Sequence, residues 1–199
     1  MRCPSRSKPV AIRRAEARRP FTRSDRLDDS VIRSMLKWPD IPDVYGWLRL
    51  DRSGNWRIRV VGQAAGPVFE PIGNAAFREF IGRNYAVDER GCWFFQNGPQ
   101  RVFVSLAYLP FVFRVNGEAF ADHCGRPAGR IEGAWLDEEG SLVLRTEKGT
   151  GGLDHRDLGA VADKVAEGVL ELGKNRLAVG KLVQCEMEAR FGFIREPAP

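Results

Sequence analysis

The sequence predicts an α+β fold made mainly of antiparallel β-hairpins, with about three helices packed on the sheet. A repeated turn sequence is the first reason. Asp-x-x-Gly occurs at 51–54, 88–91 and 137–140, each time between runs of aromatic and β-branched residues. Aspartate accepts hydrogen bonds from the turn backbone, and glycine adopts the left-handed conformation that a hairpin loop with a bulge requires. The second reason is that helical spacing of apolar residues is confined to three segments.

Each predicted helix has a start or stop signal. The first carries apolar residues at every fourth position from Leu27 onward. It must end before Pro39, because the residue before a proline is driven out of the α region. Asn74 is the expected N-cap of the second helix. Asp154 begins the third, since an acidic side chain suits the positive end of a helix.

Pairing the strands across the first turn separates two faces, because directly opposed residues lie on the same side of a sheet. Leu48 opposes Ile58 and Leu50 opposes Trp56, which gives one apolar face. The other face carries a tryptophan and three arginines, namely Trp47, Arg49, Arg57 and Arg59. Arginine binds carboxylate and phosphate through its forked donors and stacks on aromatic rings. This face is therefore a candidate binding surface; the alternative is a solvated strand face whose arginine stems shield the tryptophan.

A four-residue loop at 97–100 predicts a second informative hairpin. One of its sides is wholly apolar, and the reverse side pairs Phe94 with Phe103 and Gln96 with Arg101. Two interpretations of the reverse side stay open. It is either a central strand packed on both faces, for which aromatic pairs are typical, or a ligand groove over Phe94, Phe103 and Arg101.

Two further stretches are interpreted from their turn residues. A hairpin is expected at 173–175, between two short apolar runs. The glycine-rich stretch 149–152 precedes the third helix, as a phosphate-binding loop would, but it lacks the lysine of a P-loop. It is predicted to be a flexible connection.

The positive charge of the chain is concentrated at its N-terminus. The net charge is +5, but residues 1–24 hold eight basic residues and one acid, which leaves 23 basic and 25 acidic residues for the remainder. Because it also contains three prolines and few apolar residues, 1–24 is predicted to be a disordered basic tail. Residues 25–199 are predicted to form a single β-rich domain, with a division into halves, 25–115 and 116–199, left open.

The basic tail admits several functions. It suits an electrostatic arm for nucleic acid or an anionic membrane, or an organellar transit peptide. It also fits a dispensable extension or a start codon assigned too early. The last two interpretations are preferred, since a compositional patch is weak evidence of function. The sequence has no run of about 18 apolar residues and no apolar signal region. A cytoplasmic location without a membrane partner is therefore expected.

The histidines and cysteines form no recognisable site, so no disulfide, metal or other cofactor is predicted. No CxxC or zinc-finger spacing links the four cysteines, which are Cys3, Cys92, Cys124 and Cys185. Asp122, His123 and Cys124 stand in a row, but neighbours on a strand point to opposite faces, and a hairpin or loop end is the preferred interpretation. A cysteine nucleophile paired with His123 or His155 stays open as an enzyme hypothesis, although no catalytic residue is predicted.

Five stretches of the sequence are distinctive: KWPDIP (37–42), YGWL (45–48), GNW (54–56), RNYAVDERGCWFFQNGPQRVFV (83–104) and FGFIREPAP (191–199). Together they resemble a family of uncharacterised proteobacterial proteins, a domain of unknown function. The resemblance covers residues 27–199 and leaves 1–24 outside. It implies a bacterial cytoplasmic protein, and it supplies no catalytic residues that can be carried over.

The sequence predicts a non-catalytic cytoplasmic protein that binds a protein or a small anionic ligand through its sheet. The candidate binding residues are Trp47, Arg49, Arg57, Arg59, Phe94, Gln96, Arg101 and Phe103. The first alternative is nucleic-acid binding through 1–24 and the face of Trp47 and the arginines; the net charge of −2 outside 1–24 counts against it. The second alternative is an enzyme with a cysteine–histidine site.

Overall fold

The computed structural model describes residues 27–38, 41–61 and 66–199. The tail predicted at 1–24 lies outside the described residues. The α-helices of the described ranges are α1 Asp29–Lys37, α2 Ala75–Arg83, α3 Ala162–Ala166 and α4 Met187–Phe191. None of these helices is long and apolar enough to cross a membrane.

The first sheet has six strands in the order β3-β2-β1-β6-β5-β4. They are β1 Val44–Leu50, β2 Trp56–Val60, β3 Val68–Pro71, β4 Tyr85–Val87, β5 Trp93–Asn97 and β6 Gln100–Leu106. Two antiparallel meanders, β1 to β3 and β4 to β6, are joined by a parallel β1–β6 pair. The register of that pair shifts between Val44 and Leu48, where Gly46 has a φ of 72°. β1 therefore bulges beside β6.

The second sheet has seven strands in the order β12-β13-β9-β10-β11-β7-β8. They are β7 Phe111–Asn116, β8 Ala119–Asp122, β9 Ile131–Leu136, β10 Leu142–Thr146, β11 Gly149–Leu153, β12 Val169–Leu172 and β13 Asn175–Lys181. The hairpins are antiparallel, whereas β7 pairs with β11 and β9 pairs with β13 in parallel.

The fold is thus mostly β, with few helices and two mixed sheets. The predicted hairpins are present. The sheets also contain parallel pairs, so the prediction of a mainly antiparallel arrangement is only partly correct. Parallel pairs join strands that are distant in the sequence, and no turn residue marks them.

All three Asp-x-x-Gly turns form hairpins with the predicted geometry. Asp51, Asp88 and Asp137 each accept hydrogen bonds from two backbone N–H groups of their own turn, at 2.7–3.0 Å. The glycines that close these turns have φ between 79° and 88°. The hairpin expected at 173–175 is also confirmed, as β12–β13. Local turn chemistry therefore determines these hairpins.

The first two helices are confirmed and the third is only partly correct. The Asn74 side chain accepts a hydrogen bond from the Phe77 N–H, as an N-cap does. Asp154 caps its segment in the same way, but the helix that follows is a 3-10 helix, His155–Ala160. The backbone leaves helical geometry at Val161, with φ −128°, and α3 begins only after it. The five-residue α4 was not predicted.

The prediction of a flexible connection at 149–152 is wrong, because these residues belong to β11. β11 is paired on both sides, with β10 and with β7. A Cβ atom at Gly151 would lie 2.7 Å from side-chain atoms of Phe111 and Phe113. Glycine is therefore needed here to make room for aromatic rings, and not to provide flexibility.

The chain passes from the first sheet to the second at residues 107–110. The pair Asn116 and Gly117 forms the turn between β7 and β8, within the second sheet. One hydrophobic cluster contains residues of both sheets, and the rings of Trp93 and Phe111 meet across it at 4.9 Å. A second, smaller cluster lies on the opposite face of the first sheet and contains Phe94 and Phe103.

Candidate functional site

The first part of the candidate site lies on β1, β2 and β3, on the face of the first sheet opposite the main core. The predicted register is confirmed, with Arg49 opposite Arg57 and Leu48 opposite Ile58. Arg59 lies opposite Phe69 of β3, so Phe69 joins the same face. We call this surface the arginine face; its residues are Trp47, Arg49, Arg57, Arg59 and Phe69.

Arg57 is the arginine of this face that is held by an acid. Its Nε donates to Oδ2 of Asp51 at 2.8 Å, while Oδ1 of the same carboxylate accepts the turn hydrogen bonds. Burial raises the pKa of Asp51, but the hydrogen bonds from Arg57, Asn55 and Ser53 together lower it below its ordinary value. Asp51 is therefore a carboxylate at neutral pH, and Arg57 is part of the turn.

Arg49 and Arg59 are positioned by aromatic rings instead. The Cζ of Arg49 lies 5.7 Å from the ring centroid of Phe69, and that of Arg59 lies 5.9 Å from Trp47. Trp47 is 43% exposed. Neither guanidinium forms an ion pair with an acid of the described part of the chain. The arginine face thus presents two oriented positive charges to solvent.

The second part of the candidate site lies on β5 and β6 and is buried. The predicted pairs are confirmed, Phe94 with Phe103 and Gln96 with Arg101. Phe94 is 5% exposed, Gln96 1% and Phe103 1%. Arg101 is half-buried and stacks on Phe94, with its Cζ 4.7 Å from the ring centroid. Three of these four predicted binding residues are therefore inaccessible to a ligand in this structure.

Two distant segments cover these aromatic rings. Tyr45 stacks on Phe103 with ring centroids 4.5 Å apart and planes 3° from parallel. Ile194 packs on the same cluster, and its backbone bridges to Cys92. Arg90 donates to the Tyr45 hydroxyl and to the carbonyl of Ala198. We call Tyr45, Cys92, Phe94, Phe103 and Ile194, with Ala86, the covered cluster.

The two parts of the candidate site are also separated along the sheet. Ser105 is the β6 partner of Arg49, and Arg101 lies four residues earlier on that strand. At about 3.3 Å per residue, the separation along β6 is about 13 Å. A ligand group that contacts Arg49 and Arg59 therefore does not reach Arg101 at the same time.

A buried network fastens the C-terminal segment that supplies Ile194. Asp137, in the third turn, accepts hydrogen bonds from the Tyr108 hydroxyl at 2.6 Å and from Gln184 Nε2 at 2.7 Å. Burial raises the pKa of Asp137, and these bonds with two backbone N–H donors lower it further than burial raises it. Arg195 donates in turn to the carbonyl of Gln184. The carboxylate thus ties the second sheet to residues 184–195.

The Asp122-His123-Cys124 sequence is part of a fourth Asp-x-x-Gly turn, which ends at Gly125. Asp122 Oδ1 accepts from the N–H groups of Cys124 and Arg126, both at 2.9 Å, and Oδ2 accepts from Arg126 Nε. The interpretation as a hairpin or loop end is confirmed. The signal was present in the sequence, since Asp122 and Gly125 have the same spacing as the other three turns. Within the described ranges, no group of three metal-ligating side chains occurs.

His123 lies among aromatic rings of the main core. Its ring centroid is 5.2 Å from that of Trp56 and 6.0 Å from that of Phe111. Nδ1 accepts a 3.4 Å hydrogen bond from the Val112 N–H, and Nε2 is buried without a partner. Burial lowers the pKa of His123 to about 4, against the opposing charge of Asp122. The imidazole is therefore neutral at physiological pH.

The cysteines nearest to this region are not activated. Burial raises the pKa of Cys124 to about 12, and the charge of Asp122 adds to this effect. Burial also raises the pKa of Cys92, which lies in the covered cluster and not beside His123. A reactive cysteine requires a lowered pKa, so this geometry gives no support to a cysteine–histidine pair among these residues.

Sequence reasoning missed three residues that complete the candidate site. Phe69 follows a proline in a short segment that was not recognised as a strand. Asp51 was recognised as a turn residue, but its ion pair with Arg57 was not. Ile194 lies near the C-terminus, and the structure shows that it packs on the cluster that contains Phe94 and Phe103. No sequence signal links Ile194 to that cluster.

Comparison with known proteins identifies a family. A family model described as "Protein of unknown function (DUF2946)" matches residues 27–198. A comparison with curated proteins gave no match. Among solved structures, the chain is similar to the crystal structure of a DUF1285 family protein from Silicibacter pomeroyi DSS-3, with 14% identity and a TM-score of 0.45, over 70% of this chain and 82% of that chain. The predicted resemblance to a domain of unknown function is confirmed: this chain belongs to the family described as "Protein of unknown function (DUF2946)".

Proposed function

We propose that this protein is a non-catalytic binding module whose arginine face holds an anionic group of a protein or small ligand. The observation that carries the proposal is the state of Arg49 and Arg59. Both guanidinium groups are oriented by aromatic rings, and neither pairs with a carboxylate of the described residues. Solvent-facing arginines in this state can give both of their edge donors to a bidentate acceptor.

The rigidity of the face supports the same proposal. Arg49 and Arg59 stand on β1 and β2, which are paired to each other and flanked by β6 and β3. The 2.8 Å ion pair between Arg57 and Asp51 fixes the turn that joins β1 and β2. Side chains on paired strands lose less freedom on binding than side chains on a loop. The acceptor therefore meets a preformed site.

The chemistry of the face favours carboxylate or phosphate as the bound group. Arg49, Arg57 and Asp51 together carry one net positive charge, and Arg59 adds a second. Guanidinium groups match the planar geometry of carboxylate and the oxygen pairs of phosphate. A small acidic ligand or an acidic protein segment fits this charge.

The test uses an acidic octapeptide, octaglutamate, labelled for fluorescence anisotropy at low and physiological salt. We expect the double variant Arg49→Glu/Arg59→Glu to bind at least tenfold more weakly than the wild type, because two attractive charges become repulsive. The matched control is Arg130→Glu/Arg176→Glu, which makes the same change of charge at side chains that are 72% and 75% exposed on the second sheet. Equal binding by both double variants would overturn the proposal.

A single-stranded oligonucleotide of the same length separates the nucleic-acid alternative from this proposal. Trp47 is exposed beside Arg59, and exposed aromatic rings stack on bases. If the oligonucleotide binds more tightly than octaglutamate, and the Arg49→Glu/Arg59→Glu variant abolishes that binding, nucleic acid replaces an acidic protein or ligand as the partner.

A further inference from the structure

A cavity opens beside Leu48 and Ile58 of β1 and β2. Its volume is about 230 Å³, and Leu48, Ile58, Phe77, Phe95 and Val102 are among its lining residues. Ile58 alternates along β2 with Arg57 and Arg59, so its side chain points to the opposite side of the sheet from theirs. Trp47 also lines the cavity and so borders both the cavity and the arginine face, whereas the arginines of that face do not line it.

The packing of α2 explains why the cavity exists. α2 lies on β5, where Phe77 and Phe80 make edge contacts with Phe95 at centroid distances of 6.1 and 5.4 Å. The neighbouring part of the sheet is left open on the side of β2. As a result Ile58 is 40% exposed and Phe77 38% exposed, although both point towards the cavity.

The volume limits the size of the ligand. An apolar protein cavity of about 150 Å³ binds benzene. A cavity of about 230 Å³ is half as large again, which suits one substituted ring or two fused rings. A long acyl chain or a nucleotide does not fit within this volume.

The lining determines the chemical class of the ligand. None of the described lining residues is ionisable, so a charged ligand would lose its hydration without gaining a counter-charge. The polar groups of the lining side chains are the carboxamides of Asn97 and Gln100 and the indole N–H donor of Trp47. Gln100 already donates to the Pro42 carbonyl at 3.1 Å. The Asn97 carboxamide makes no hydrogen bond to the described residues, and it is free to bind one polar group.

We infer that this cavity binds a small uncharged aromatic molecule of one or two rings, with a single hydrogen-bonding group directed at Asn97. The apolar residues of β1, β2, β6 and α2 enclose the rings. The Asn97 side chain fixes their orientation through its amide oxygen or nitrogen.

The first experiment titrates the protein with indole and with 1-methylindole, which lacks the N–H donor. Isoleucine methyl resonances in NMR spectra report the site, with Ile58 inside the cavity and Ile131 in the second sheet as the internal reference. We expect the Ile58 signal to shift and saturate with a dissociation constant of about 1 mM or lower, while Ile131 does not move. Indole should bind about 2- to 10-fold more tightly than 1-methylindole, since one hydrogen bond is worth that factor.

Two variants test the position of the site. Ile58→Trp fills the cavity with an uncharged ring and is expected to weaken indole binding at least fivefold. Ile58→Glu places a charge in the lining and is compared with Val61→Glu, a neighbouring position that is 90% exposed and does not line the cavity. If Ile58→Trp binds indole as the wild type does, or if both glutamate variants bind equally, the inference is wrong.

A third variant tests the role of Asn97. Asn97→Leu should remove the preference for indole over 1-methylindole and leave the affinity for 1-methylindole within about twofold. Persistence of the preference in this variant would contradict the assignment of Asn97. Because neither ligand carries a charge and neither Arg49 nor Arg59 lines the cavity, this outcome is distinguishable from a failure of the proposed anionic site.

Discussion

The outer side of the first sheet carries two groups of arginine and aromatic side chains, and they differ in what lies over them. On β1 to β3, Arg49 and Arg59 stack on Phe69 and Trp47 and face solvent. On β5 and β6, Arg101 lies over Phe94 and Arg90 lies over Phe103, but both of these rings are buried. The same residue types therefore form a surface in one place and a packed cluster in the other.

The difference comes from two segments that are distant from β5 and β6 in the sequence. Tyr45, at the bulge of β1, stacks on Phe103, and Ile194, near the end of the chain, packs on the same cluster. No comparable segment of the described chain lies over Trp47. Arginine–aromatic pairs thus do not identify a binding surface by themselves, since their exposure depends on what the rest of the chain places over them.

The largest expected effect is a difference in stability between a variant of the buried group and a variant of the exposed group. Phe103→Ala removes a fully buried ring and should lower the free energy of unfolding by about 3–5 kcal/mol. Trp47→Ala removes a half-exposed ring and should cost less than about 1 kcal/mol. Urea denaturation of both variants measures the difference. Equal losses would show that Trp47 is as much a packing residue as Phe103.

The next effect is a loss of stability at acidic pH, and it arises from His123 in the main core. His123 has a pKa of about 4 in the folded protein and about 6.5 in the unfolded chain. Above pH 6.5 the imidazole is neutral in both states, so it makes no difference to stability. Between pH 6.5 and 4 the unfolded chain takes up the proton first, and stability falls by at most about 3 kcal/mol. Below pH 4 this loss is complete and constant.

His123→Gln removes this titration and retains a side-chain acceptor for the Val112 N–H. The variant should therefore lose less stability than the wild type between pH 6.5 and 4, as measured by thermal unfolding over that range. His123 contacts Trp56 of the first sheet and Phe111 of the second, so its titration acts on the core between the two sheets. Parallel pH profiles for wild type and variant would exclude His123 as the source.

The smallest effect distinguishes the arginines of the exposed group from one another. Arg57→Gln breaks a partly exposed ion pair with Asp51 and should cost about 1 kcal/mol at pH 7. The hydrogen bonds from Arg57, Asn55 and Ser53 lower the pKa of Asp51 from its ordinary value despite burial. Its stabilising contribution is therefore fully present above the pKa of an unfolded aspartate, about 3.9, and is lost as the pH falls through the folded value. The difference between wild type and variant should vanish in the same range.

Arg59→Gln is the matched control for this measurement. Arg59 forms no ion pair within the described chain, so its replacement should change stability by no more than about 0.5 kcal/mol at any pH. A pH-dependent loss in Arg59→Gln equal to that in Arg57→Gln would contradict the division between a turn arginine and a binding arginine.

Most of the local structure could be predicted from the sequence, because it depends on contacts between near neighbours. The spacing of Asp51 and Gly54 determines a turn, and the turn determines that Arg49 lies opposite Arg57. The fourth turn, at Asp122, follows the same rule, in agreement with the interpretation of these residues as a hairpin or loop end. The role of 149–152 was misjudged, since glycine marks a close approach of rings as well as a flexible loop.

The sequence by itself determined the hairpins, their registers and the residues that share each face, since these follow from turn geometry and the two-residue period of a strand. Only the tertiary structure decided which faces are exposed. Three features depend on how segments distant in the sequence are arranged. They are the parallel β1–β6 pair, the packing of Tyr45 and Ile194 on the covered cluster, and the gap between α2 and β2. Contacts of that kind depend on how the whole chain packs, and they leave no local pattern to read.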